Sequence, residues 1–159
     1  MDQSHRVSHW LPCAVVFIST AHEEKRDIMT ATAMFVSEKE NMLAISVAQD
    51  HLTAQLIKEA GSFTLVIASE SQKELVWQVG GVKGDEENKF DLFSITTLPP
   101  VPGKPLIPAE AASWLECTVL NQQEVDGYIL VLARVVEQQD LNNPPLVWHG
   151  NTLFALKPL

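Results

Sequence analysis

A chain of 159 residues, 46% hydrophobic and 19% charged, carries enough apolar surface to offset the chain entropy of folding, which excludes a disordered tail protein. Lys and Arg number 11 against 20 Asp and Glu, a formal net charge of −9, and no basic stripe runs along the sequence, which excludes a nucleic-acid surface. No stretch approaches the ~20 apolar residues of a membrane span. The length fits one hydrophobic core, so a single domain over residues 1–159 is expected. The first ten residues, with Asp2, His5, Arg6 and His9, do not read as a secretory leader, and a cytoplasmic location is expected. Cys13 and Cys117 lie far apart in apolar surroundings without metal-ligand spacing, so free buried thiols and no metal are expected.

Residues 14–20 form a continuous apolar run of strand rather than helix length. After a charged turn from His22 to Asp27, residues 28–36 mix Thr, Ala, Met and Phe without a helical stripe, which predicts a hairpin partner. A first helix starts near Asp50, with Leu52, Leu56 and Ala60 on one face and Gly61 at its C-terminal end. A second opens with the S-x-x-E spacing of Ser71 and Glu74, continues through Leu75, Val76 and Val79, and ends at Gly80 and Gly81. Residues 42–48, 63–68, 115–120 and 128–136 are further strands, and 153–156 is expected to close the sheet.

Pro99, Pro100, Pro102, Gly103, Pro105 and Pro108 block both ladder and helix, and so predict an ordered loop. Asp126 and Gly127 predict a tight hairpin before the last long strand. Six or seven strands with two helical excursions imply a mainly β fold with short helices, an antiparallel barrel.

Catalytic signatures are scarce. Phosphate-binding glycine loops, nucleophile elbows and paired metal ligands are missing, and the five His residues are scattered. Two segments offer binding chemistry. At Ser46, Val47, Ala48, Gln49, Asp50, His51, Leu52 and Thr53 a strand runs into a helix start, where free amides, the Thr53 hydroxyl and the His51 ring suit an anion. Plain helix capping by Asp50 explains the same residues. At Met29, Thr30, Ala31, Thr32, Ala33 and Met34 small side chains let a flat ring approach the backbone while hydroxyls offer hydrogen bonds, and ordinary strand packing is the alternative.

Taken in order, the blocks MTATAM (29–34), SVAQDHLTAQLIKEAGSFTLVIAS (46–69), NKF (88–90), SWLECTV (113–119) and PLVWHGNTLFAL (145–156) resemble the flavin reductase-like, FMN-binding split-barrel family. The resemblance spans nearly the whole chain. It implies a homodimeric antiparallel split barrel that binds FMN near the subunit boundary, takes electrons from NAD(P)H and supplies an oxygenase or other acceptor.

Carried over by position, Thr30, Ala31, Thr32 and Ala33 match the strand along the flavin ring, and Ser46, Val47, Ala48 and Gln49 the neighbouring strand end. His51 and Thr53 match the phosphate-facing pair, while Phe90 and His149 match positions bordering the flavin or the partner protomer. No catalytic side chain is implied, because the flavin carries the chemistry. Two departures stand out. Many relatives have Gly-Asp-His at the hairpin where this chain reads Asp126, Gly127, Tyr128, and the loop SEKEN (37–41) lacks a proline pair common among them.

Overall fold

The apolar run near the N-terminus becomes the hub of the structure because both of its faces are covered. In the computed structural model, which describes residues 6–159, β1 (Cys13–His22) buries every residue from Val15 to Thr20. A strand covered on one side alternates; one covered on both sides reads as a continuous apolar stretch. Along one edge β1 pairs antiparallel with β2 (Lys25–Ser37), from Ala14 opposite Ala33 to His22 opposite Lys25. Along the other edge it meets β4 (Ser62–Ile67) at Val16 to Ser19, and β7 (Leu146–His149) at Cys13 and Ala14.

With β3 (Met42–Ala48), β5 (Ser113–Val125) and β6 (Tyr128–Asp140), the strand order is β2-β3-β6-β5-β4-β1, closed by the β1–β2 hairpin into a six-stranded antiparallel barrel. The mainly β, split-barrel class expected from the sequence is correct. Three details differ. Barrel closure comes from β1 and β2 and not from the C-terminal segment, because β8 (Thr152–Ala155) pairs only with β7 and extends the sheet outward. β7 was not foreseen as a strand. The long strands β5 and β6 also run well past their expected ends, since thirteen-residue strands joined at a tight turn continue beyond the apolar section.

Two apolar clusters result. Inside the barrel Val16, Ile18, Leu43, Ile45, Val47, Phe63, Leu65, Cys117, Val131 and Ala133 pack together, with Ala54 and Ile57 of α2 (Leu52–Ala60) plugging one end. Gly61 ends α2 at φ 70° in the left-handed conformation, as its position predicts. Outside the barrel Val15, Phe17, Ile28 and Val66 pack under Val76 and Val79 of α3 (Lys73–Gly80) and Phe90 of α4 (Lys89–Leu92). A single turn, α1 (Val7–Trp10), precedes β1.

The expected box at Ser71 and Glu74 sits two residues earlier, at Ser69 and Gln72. The buried Ser69 amide donates to Gln72 Oε1 at 3.1 Å, ahead of a short 3₁₀ turn at Glu70–Gln72. Ser71 and Glu74 are exposed and can hydrogen-bond water, whereas the Ser69 amide has no such outlet. The proline-rich segment folds back as an ordered loop: Leu98 N–H donates to Ile107 O at 2.9 Å, and Ser19 Oγ to Leu106 O at 2.6 Å. Asp126 and Gly127 take φ values of 48° and 84°, the tight hairpin expected. Both cysteines are free thiols. Burial pushes the Cys117 thiol up to about 12, which makes it inert near neutrality.

Because Phe17 is fully buried in the outer cluster, Phe17→Ala should lower unfolding free energy by ~3–5 kcal/mol in urea titrations. The half-exposed Phe154 offers the contrast: its alanine variant should change stability by less than ~1 kcal/mol.

Candidate functional site

Helix α3 lies across the outer face of β2 and leaves a groove between them. Thr30 Oγ1 donates to the Val76 carbonyl at 2.7 Å, which ties strand to helix. At Gly80 an added Cβ would stand 3.5 Å from Thr30 Cβ, so the helix end approaches the strand to van der Waals distance. Beside this contact opens an apolar lobe of about 350 Å³, floored by Val15, Thr30, Ala31 and Thr32, with Val76, Trp77, Gly80 and Gly81 opposite and Trp148 of β7 at its end. The Trp77 and Trp148 rings lie 5.3 Å apart at 57°, forming an aromatic wall.

A second lobe of about 260 Å³ shares Thr30, Gly80 and Gly81 with the first and carries charged side chains among apolar ones. Asp27, Asp50, His51, Lys83, Asp85 and Lys89 line it. His51 is the N-cap of α2 in extended conformation, and its side chain makes no capping hydrogen bond. The helix start therefore presents first-turn amides and an uncommitted imidazole to the lobe.

Beneath this lobe lies a buried polar group that sequence reasoning missed. Thr53 Oγ1 donates to Asp27 Oδ2 at 2.6 Å, and Lys89 Nζ stands 3.4 Å from Asp27 Oδ1 and donates to Ile28 O at 2.7 Å. All three side chains are buried. Gly84 presses its backbone onto the Asp27 carboxylate so closely that any Cβ there would collide with it. The only sequence signal for Lys89 was its place in the NKF block, where the neighbouring Phe drew attention. Asp27 read as a turn residue.

The structure brings Thr30, Ala31, Thr32 and His51 to the two lobes. Ala33 packs toward the barrel interior and Val47 is fully buried there. Ser46 and Gln49 are exposed at the end of β3 and Ala48 is half-buried, outside both lobes; Gln49 N–H donates to Gly127 O at 2.9 Å. Thr53 spends its hydroxyl proton on Asp27. Phe90 is a member of the outer apolar cluster, and His149 faces the Phe154 ring at 6.3 Å while its neighbour Trp148 enters the groove. His5 lies outside the described residues. Among the described residues no group of three or more His, Cys, Asp or Glu is placed to hold a metal, and no helix is long and apolar enough to cross a membrane.

A flat apolar slot joined to a recess with charged side chains suits a ligand that is aromatic at one end and polar or charged at the other. Comparison with known proteins places this chain: it matches the flavin reductase like domain over residues 7–157 and belongs to that family. It is 32% identical over 132 residues to the uncharacterized protein YddH of Escherichia coli strain K12, covering 79% of this chain and 70% of that one. The fold is shared with the NADH:FAD oxidoreductase SgcE6 of Streptomyces globisporus C-1027, at TM-score 0.86 and 18% identity, over 98% of this chain and 93% of that one. It is shared also with an FMN-binding protein of Thermus thermophilus, at TM-score 0.82 and 19% identity, over 95% and 90% of the respective chains.

The contact between Gly84 and Asp27 yields a direct test. Gly84→Ala must displace either the loop or the carboxylate, and should cost ~1–3 kcal/mol of stability in chemical denaturation.

Proposed function

We propose that this chain is an FMN-dependent oxidoreductase that passes hydride from NAD(P)H to flavin and hands the electrons to an oxygenase or another acceptor. The observation that carries this reading is the two-lobed cleft, whose apolar slot and charged recess match the two ends of a flavin mononucleotide. Small residues at Ala31, Gly80 and Gly81 leave room for a flat ring against backbone, which is the fit a tricyclic system requires. Family membership and the likeness to a NADH:FAD oxidoreductase and an FMN-binding protein support a flavin ligand.

When bound, the flavin supplies the hydride-accepting chemistry, so the protein needs to bind, orient and exclude water. Thr30 is held at a fixed rotation by its bond to Val76 O, which leaves its oxygen lone pairs facing a set direction. Trp77 and Trp148 give the slot an apolar aromatic wall. His51 and the first turn of α2 attract the anionic end. None of these tasks requires a catalytic acid or base, in keeping with the scarcity of catalytic motifs.

The working unit in this reading is a cytoplasmic homodimer. Met34 and Phe35 of β2 are 66% and 71% exposed, and Tyr128, Leu130 and Val136 of β6 add to an uncovered apolar sheet surface. Ser46 and Gln49 are exposed at the neighbouring end of β3, where a second copy would bring its own surface against them. Light scattering should report twice the chain mass, and a monomer at micromolar concentration would remove the dimer from this reading.

One feature favours a second reading, a bound-FMN electron-transfer protein reduced by a protein partner. Tyr128, half-exposed after the Asp126-Gly127 turn, stands where many relatives place a His that receives the nicotinamide nucleotide. Anaerobic mixing of the FMN-loaded protein with NADH and with NADPH separates the two. Loss of the visible flavin band within seconds is expected with at least one nucleotide; no bleaching with either would leave the second reading in place.

A further inference from the structure

The Asp27–Lys89 pair is buried too deeply to be a surface tether and is too loose to be a stabilising pair. Both side chains are at most 4% exposed, yet the closest approach is 3.4 Å and Asp27 Oδ1 makes no hydrogen bond. A buried pair offsets its desolvation only when geometry is good and the remaining lone pairs and protons are satisfied. Here Oδ2 is satisfied by Thr53 and one ammonium proton by Ile28 O. An ammonium carries three donors, and Lys89 lines the polar lobe, so at least one proton is left for a ligand there.

The lysine is also delivered rigidly. On one side Asn88 Oδ1 accepts from the Phe90 and Asp91 amides and caps α4; on the other, Phe90 is locked in the outer apolar cluster. Asp50, His51, Lys83 and Asp85 complete the charges around the lobe. The carboxylates of Asp50 and Asp85 oppose an anion, but they are exposed and screened by solvent. Lys83 is exposed in the same way, which leaves Lys89 as the lobe's buried cation, where charge acts most strongly on a neighbour.

We propose that Lys89 recognises the phosphate of the bound flavin and that Asp27, fixed by Thr53, is its positioning residue, so that the chain distinguishes FMN from unphosphorylated riboflavin. This rests on the flavin reading of the cleft. Thr53 then acts at one remove: it orients the carboxylate that holds the ammonium, and does not touch the phosphate with its hydroxyl proton.

The test is a pair of titrations, FMN and riboflavin, each followed by quenching of flavin fluorescence in the full-length protein. Wild type should bind FMN roughly 10- to 100-fold more tightly, the worth of a charge-assisted hydrogen bond. Lys89→Met should bring the ratio close to one while keeping riboflavin affinity, Lys89→Arg should restore part of it, and Asp27→Asn should reduce it. A purely structural tether would alter melting temperature without moving the ratio.

Lys39→Met, at an exposed position in the turn between β2 and β3 and outside both lobes, has no reason to misfold and should leave the ratio intact. Equal wild-type affinities for the two flavins, an unchanged ratio in Lys89→Met, or loss of the ratio in Lys39→Met would each overturn the proposal. Failure of wild type to bind either flavin would instead sink the flavin reading itself.

Discussion

Burial of β1 on both faces is the constraint on which the rest of the molecule depends. Its even-numbered residues Val16 and Ile18 fill the barrel, while Val15 and Phe17 support the helices outside it. A strand with only one covered face would leave α3 and α4 without a platform. The groove between α3 and β2 would then not exist. The cleft is thus a product of the outer cluster, while the inner cluster holds the barrel that carries it.

The same hub accounts for the division of labour within the cleft. Where β2 faces α3, Thr30, Ala31, Gly80 and Gly81 keep the walls close and smooth, and the two tryptophans complete an apolar slot. Where β2 passes the start of α2 and the loop before α4, charged side chains take over. A chain with a net charge of −9 has no long-range attraction for a phosphate. The proposed recognition of an anion is therefore local, through a helix start and a buried lysine, and both occur at the charged end.

Membership of the flavin reductase-like family and the shared fold account for the barrel, while function has to be argued from the residues of this cleft. The tyrosine after the hairpin, the Trp77–Trp148 wall and the Asp27–Lys89–Thr53 group are properties of this chain's own side chains. In the proposed reading they set what the slot admits and how it is anchored, independent of the barrel beneath.

What was legible in the sequence followed from short-range physics. The two-sided run at 14–20, the Gly61 helix end and the Asp126-Gly127 hairpin are dictated by local burial pattern and by backbone angles that few residues adopt. The order of family-like blocks marked the flavin-class barrel and pointed to Thr30, Ala31, Thr32 and His51, which the structure gathers into one cleft. Tertiary structure alone decided the rest. Asp27, Thr53 and Lys89 are separated by 26 and 36 positions along the chain and meet because β2, α2 and α4 converge on one end of the groove. Trp77 and Trp148 come together only because β7 pairs with the start of β1 beneath α3. Local sequence sets the conformations that a segment can adopt, but which buried charges neutralise one another depends on chain elements brought together by the two apolar clusters.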